Sequence, residues 1–269
     1  MTKYTKAHAK KDLPKRKSSD NKTIGGKCLI IAGSKSMWGA AVLSATAAAR
    51  VGAGYVYLAP LESGFPVVKH PDFLLHKSTN KLTDYSAIAI GPGGRNKEAL
   101  ARRLKNLRSF KNVVVDAEAL NALASMNIRL PSTWILTPHE GELSRLINIS
   151  SKSIQKDRLK YLKVAQQKFG CIVLLKGHKS LIADNKRIYE IQSGNPALAK
   201  AGTGDVLTGI IAGLLSQGVV STKAACLGAY LHGCIADQWV KENDVLSLMA
   251  SDLVCEIPST IRKVRRKKA

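Results

Sequence analysis

Short apolar runs alternate with longer stretches of helical periodicity along this chain. Cys28–Ala32, Tyr55–Ala59, Ala87–Ile90, Asn112–Val115, Trp134–Leu136 and Ile172–Leu175 are three to five residues long and mostly apolar at successive positions. Such runs suit parallel strands buried on both faces. Between them lie Ala40–Val51, Lys97–Leu107, Ala117–Ala124 and a long basic stretch, Ser153–Phe169, each with helical spacing. Leu181–Ala183 and Ile188–Gln192 predict a hairpin about Asp184-Asn185, and Val206–Leu215, Thr222–Glu242 and Leu253–Val264 predict three closing helices. Glu62–Lys81 carries no clear period. Strand-helix alternation without a linker predicts one doubly wound α/β domain over residues 21–260, its mostly parallel sheet flanked by helices. Residues 1–20 are lysine-rich and predict a loose basic segment, and residues 261–269 a basic tail.

Polar and glycine-rich segments follow the predicted strands: Gly33–Gly39, Gly91–Gly94, Asp116, Thr137–Glu142, Lys176–Lys179 and Gly202–Asp205. Open α/β sheets bind ligands beyond the carboxyl ends of their strands, so these segments predict one composite cleft. Gly202-Thr203-Gly204-Asp205 has the most pointed chemistry. Glycines there admit a ligand close to the backbone, and the amides of a helix start suit phosphate. Asp205 would repel that phosphate, so a proton-accepting task fits it better than binding. The structural alternative is an acidic residue that merely complements the helix dipole. Lys176-Gly177-His178-Lys179-Ser180 suits phosphate or ribose contacts, although Gly-Lys turns are common. Thr137-Pro138-His139-Glu140 reads as a capping box with Thr137 at the cap, which leaves His139 facing outward as a candidate ligand contact. Asp116–Asn121 is either cleft lining or helix capping. No P-loop spacing and no GxGxxG fingerprint occurs, which disfavours an ordinary dehydrogenase.

The 269 residues carry a net charge of +23. Residues 1–27 contribute net +7 and residues 261–269 net +6. A solvated basic surface is the plain reading. Aromatic residues are 5% of the chain, too few for a base-stacking platform, so no specific nucleic-acid partner is expected. Five widely spaced cysteines, without metal spacing, predict reduced thiols, a cytoplasmic setting and no structural metal. No apolar run reaches the length of a membrane span.

The motifs Gly33-Ser34…Gly39-Ala40-Ala41, Gly52-Ala53-Gly54, Gly91-Pro92-Gly93, Asp116–Asn121, Thr137-Pro138-His139-x-Gly141-Glu142 and Gly194-Asn195-Pro196…Gly202-Thr203-Gly204-Asp205 occur in one order. That order resembles the ADP/ATP-dependent NAD(P)H-hydrate dehydratases, a carbohydrate-kinase-like family of ribokinase fold, over about residues 13–260. The resemblance implies repair of the S-epimer of hydrated NADH and NADPH: a nucleotide phosphorylates the ring hydroxyl, phosphate leaves and the double bond returns. It implies Asp205 as the base. It implies nucleotide contacts from Lys176, Gly177, His178, Lys179, Ser180, Gly202, Thr203 and Gly204, and hydrate contacts from Ala40, Gly93, His139 and Asp205. ADP or ATP as co-substrate, Mg²⁺ and a homotetramer are further expectations from the resemblance. Ala197, Lys200, Ala201 and Thr23–Gly26 depart from the family pattern. Lys200 is left as either a phosphate contact or plain charge. The alternative is a ribokinase-fold kinase acting on a vitamin-precursor alcohol.

Overall fold

A computed structural model describes residues 1–62, 72–76 and 81–266. In chain order it contains β1 (Thr2–Tyr4), α1 (Lys6–Asp12), β2 (Lys27–Ile31), α2 (Trp38–Val51), β3 (Tyr55–Ala59), β4 (Leu74–Leu75) and β5 (Ala87–Ile90). Next come α3 (Lys97–Asn106), β6 (Val113–Val115), α4 (Glu118–Ala124), β7 (Ile135–Leu136), α5 (Glu140–Ile147), α6 (Ser151–Lys156) and α7 (Arg158–Phe169). The chain closes with β8 (Ile172–Leu175), β9 (Leu181–Ala183), β10 (Ile188–Ile191), α8 (Thr203–Ser216), α9 (Ser221–Trp239) and α10 (Ala250–Arg265).

The strands form one sheet in the order β1-β10-β9-β8-β7-β6-β5-β2-β3-β4. Every pairing is parallel except the two that β9 makes with β8 and β10. Side chains alternate across the sheet, as period-two geometry requires. Cys28, Ile30, Ala87, Ala89, Ile172 and Leu174 enter the core shared with α1, α2, α8, α9 and α10. Leu29, Ile31, Ile88, Ile90, Val173 and Leu175 enter the core shared with α3 to α7. Burial on both faces explains why these strands are apolar at successive positions.

Connections leave β2 toward β3 on one side and reach β5 on the other, so the strand order reverses between β2 and β5. The following loops are tied there: Gly33 N–H donates to Pro92 O at 2.8 Å and Gly91 N–H to Ile31 O at 3.1 Å. That reversal is where α/β folds open a ligand crevice. The helix entering it, α8, packs on α2 at backbone contact. A Cβ on Gly209 would lie 2.1 Å from Ser44 O, and one on Gly213 2.7 Å from Ala48 O.

Several boundaries differ from the pattern reading. Residues 1–20 are not a loose segment throughout: β1 pairs in parallel with β10, and Tyr4, Ala9 and Leu13 are buried. The basic C-terminal tail is helical through Arg265, whose Nη2 donates to Pro14 O at 2.5 Å; residues 267–269 lie outside the described residues. Most of Glu62–Lys81 also lies outside them, and its described part pairs β4 with β3. Ser153–Phe169 divides at Asp157, which ends α6 and accepts from Lys160 N–H at 2.9 Å to start α7. Helix α8 begins at Thr203 rather than Val206, which places Gly204 and Asp205 in its first turn.

Candidate active site

The centre of the cleft is the first turn of α8. Gly202 caps it at φ +87°, a left-handed conformation that favours glycine, and a Cβ there would meet Leu43 Cδ1 at 2.9 Å and Ala250 Cβ at 3.0 Å. The first intrahelical bond runs from Val206 N–H to Gly202 O. Gly204 and Asp205 therefore have no carbonyl of the preceding turn to donate to, and amides so placed suit an anion. Thr203, expected as a nucleotide contact, has its polar groups engaged within the loop. Its amide donates to Lys200 O at 3.4 Å and its hydroxyl lies 2.9 Å from the carbonyls of Leu198 and Lys200. It closes the loop from inside. Lys200, left open between phosphate contact and plain charge, donates through Nζ to Leu246 O, which ties the loop to the segment before α10.

Three strand ends bring polar groups to that turn. Asp116 after β6 is buried, Glu142 stands in the first turn of α5 after β7, and Lys176 follows β8. Lys176 Nζ lies 2.8 Å from Asp116 Oδ1 and 3.5 Å from Glu142 Oε2. Thr208, one turn beyond Asp205 on α8, donates to Asp116 Oδ2 at 2.7 Å. A Cβ on Gly204 would lie 3.5 Å from Lys176 Nζ and 3.9 Å from Asp116 Oδ2, so α8 starts directly over this trio. Burial pushes the Asp116 carboxyl up, but the Lys176 ammonium and the bonds from Lys176, Thr208 and Thr137 outweigh it and hold it below the carboxylate range. Burial also works against the Lys176 charge, yet Asp116 and Glu142 hold it above the ordinary lysine value. Among the described residues Asp205 has no such partner. Its carboxyl is pushed up to about 7 by burial and by Asp116 and Glu142, with Lys176 opposing. A carboxylate poised near neutrality is suited to accept a proton.

The other candidate residues take distinct places. Lys176 points inward into the ion trio, whereas Gly177, His178 and Lys179 are exposed at the cleft rim. Ser180 Oγ donates to Gly177 O at 3.1 Å. Arg158 on α7 underpins this turn: Nη1 donates to His178 O at 2.5 Å and Nη2 to Lys176 O at 3.2 Å, while Nε lies 3.2 Å from Glu140 Oε1. Ala40 and Gly93 meet across the β2/β5 reversal, since a Cβ on Gly93 would stand 3.0 Å from Ala40 Cβ. The capping box on Thr137 is not the one formed. His139 is the cap: its Nδ1 accepts from Gly141 N–H at 3.0 Å, and its own N–H donates to Glu142 Oε2 at 2.8 Å. A structural role thus accounts for His139, although its ring is still half exposed. Asp116 is not a side-chain helix cap: it is buried against Lys176 and Thr208, and Ala117 holds the cap position at φ +50°.

A family model described as NAD(P)H-hydrate dehydratase matches residues 28–259. The chain belongs to that family. It is 36% identical over 266 residues to an ADP-dependent (S)-NAD(P)H-hydrate dehydratase from Neisseria meningitidis serogroup B, covering 94% of this chain and 89% of the relative. It is 36% identical over 284 residues to a bifunctional NAD(P)H-hydrate repair enzyme from Moorella thermoacetica, covering 97% of this chain and 54% of the relative. The chain spans about half the length of the bifunctional relatives it matches. A crystal structure of the Bacillus subtilis ADP/ATP-dependent NAD(P)H-hydrate dehydratase, co-crystallised with ATP and Mg²⁺, superposes with a TM-score of 0.91 at 30% identity, covering 98% of both chains. The family's ribokinase-like fold is the one described above.

Proposed function

We propose that this protein restores NADH and NADPH from their S-hydrates, using ADP or ATP. The reading rests chiefly on Asp205, a carboxylate held near neutrality in the first turn of α8 beside the free amide directions of Gly204 and Asp205. Asp205 takes the proton of the ring hydroxyl as that oxygen attacks the terminal phosphorus of the nucleotide. The bond to the nucleotide's bridging oxygen breaks, and the amides and helix dipole meet the charge on the transferring group. Phosphate then departs with the former hydroxyl oxygen. A neighbouring ring carbon loses a proton and the carbon-carbon double bond returns.

The rim turn Gly177–Ser180 carries the nucleotide in this reading, with Lys176 behind it as fixed positive charge. Ala40, Gly93 and His139 face the hydrate from the β2/β5 reversal and the start of α5. Mg²⁺ fits as an ion held mainly by phosphate oxygens and water. Among the described residues no three His, Cys, Asp or Glu side chains gather into a cage, and Asp116 and Glu142 are shared with Lys176. The ion would neutralise phosphate charge. A cytoplasmic homotetramer is the accompanying proposal; no helix among the described residues is long and apolar enough to cross a membrane. A kinase acting on a vitamin-precursor alcohol is less favoured, because the family match runs through nearly the whole domain.

The experiment is to supply NADPH hydrate with ADP or ATP and follow the return of reduced-nicotinamide absorbance. Wild-type protein restores it, and Asp205→Asn is slower by about 10²–10⁴-fold, the ordinary worth of a general base. Product formation at the wild-type rate by the variant would refute the assignment.

A further inference from the structure

The loop from Ser193 to Gly202 has little regular structure of its own, a short 3₁₀ turn at Pro196–Leu198 apart, yet it sets the first turn of α8, whose amides and carboxylate must be presented with small error. Its shape is set from behind, by one face of α9. Ser193 Oγ donates to Tyr230 O at 2.9 Å. Gly194 N–H donates to Asp237 Oδ2 at 2.9 Å and Asn195 Nδ2 to Asp237 Oδ1 at 3.0 Å, so one carboxylate takes both donors at the loop's entrance. Asn195 Oδ1 is then free to accept from Ala197 N–H at 3.0 Å and start the 3₁₀ turn. At the exit, the buried His232 ring bonds through Nε2 to Thr203 O at 2.9 Å.

Tyr230, Gly233 and Asp237 fall at i, i+3 and i+7, one stripe of a helix, while His232 is turned toward α8. Gly233 lets the loop lie against the stripe: a Cβ there would stand 2.6 Å from Ser193 C and 2.7 Å from Gly194 N. The His232 ring stays neutral because burial lowers its pKa to about 4, with the Lys176 charge acting in the same direction. A neutral ring with Nε2–H donates to a carbonyl without placing a second cation beside Lys176.

We infer that His232 and Asp237 are positioning residues that clamp the two ends of the phosphate loop and so fix Asp205 and its neighbouring amides. Neither residue needs to touch a ligand. The inference rests on the proposed reaction only for its kinetic consequence; the clamp itself is a statement about the loop.

The test uses His232→Ala, His232→Gln and Asp237→Asn in the full chain. Hydrogen exchange of the segment 194–207 rises at least several-fold in His232→Ala and Asp237→Asn, while segments covering β2, β5 and β6 exchange as in wild type. The KM for ADP or ATP rises and kcat falls about ten- to hundredfold, as misplacement of reacting groups predicts. The KM for the hydrate stays within about twofold, and His232→Gln, which keeps an N–H donor, recovers most of the loss. Unchanged exchange at 194–207 overturns the inference, as does an equal rise in both KM values. Should His232→Ala fail to fold, the near-isosteric Asp237→Asn decides. Should the wild-type protein leave NADPH hydrate untouched, the functional proposal falls and the exchange measurement still judges the clamp.

Discussion

Asp205 costs the protein stability, and removing its charge should return it. Its carboxyl moves from the ordinary 3.8 to about 7 in the fold. Three units at ~1.36 kcal/mol each give about 4 kcal/mol. Solvent on the cleft side screens part of this, so about 2 kcal/mol is the working magnitude. The sign follows from the raised value. Below the unfolded pKa both states are protonated and Asp205 costs nothing. As pH rises, the unfolded chain ionises first, so the folded state is progressively penalised. Above about 7 both states are ionised and the penalty is constant. Asp205→Asn should therefore unfold at a higher temperature than wild type by about 4–8 °C at pH 8, at ~2–4 °C per kcal/mol for a chain of this size. About a third of that difference should remain at pH 5. Thermal unfolding across this range reads it directly, and the same variant should lose the proposed dehydratase rate. An equal difference at both pH values, or a variant less stable than wild type at pH 8, would refute the electrostatic account of the site.

Other outcomes follow from the same geometry. Lys176→Met leaves Asp116 and Glu142 buried without their cation and should lower stability by about 3–5 kcal/mol, read by denaturant unfolding. If it still folds, the acid limb of its rate profile should move to higher pH, because Lys176 is the group that holds Asp205 down. The wild-type rate should fall as pH drops through about 7, where Asp205 takes up its proton, and a flat profile from pH 6 to 8 would exclude it as the base. Thr208→Val removes the 2.7 Å bond to Asp116 and should cost about 1–2 kcal/mol in thermal or denaturant unfolding. Gly202→Ala forces a side chain into the left-handed region against Leu43 and Ala250, so stability should drop by about 1–3 kcal/mol and ADP affinity should weaken in calorimetry.

The sheet was legible because its central strands are apolar at nearly every position, and Gly170, at φ +72°, ends α7 as its type suggests. Other features carried no such mark. Asp157 breaks a helix without glycine or proline. In β1, three residues hold one buried side chain among lysines, too short a run for a period to emerge. His139 was passed over as a cap because histidine is an unusual one, and Thr137-Pro138 offered a better-known pattern. Within the site, Gly202 and Asp205 stood out by local chemistry. The trio of Asp116, Glu142 and Lys176 did not, since its members are drawn from three separate strand ends and meet only when the sheet is assembled. Thr208, Arg158, His232 and Asp237 look like ordinary helix positions until the elements they brace are in place.

Contact between the backbones of α2 and α8 restricts how the proposed site can move. With Ser44 O seated where a Cβ of Gly209 would be, and Ser44 Oγ bonded to Asp205 O at 2.9 Å, the backbone of Asp205 is anchored to a tightly packed seam. The backbone that carries the carboxylate is therefore held by the helix seam. New specificities on this scaffold would then arise in the loops beyond the strands, while the seam tolerates almost no added volume.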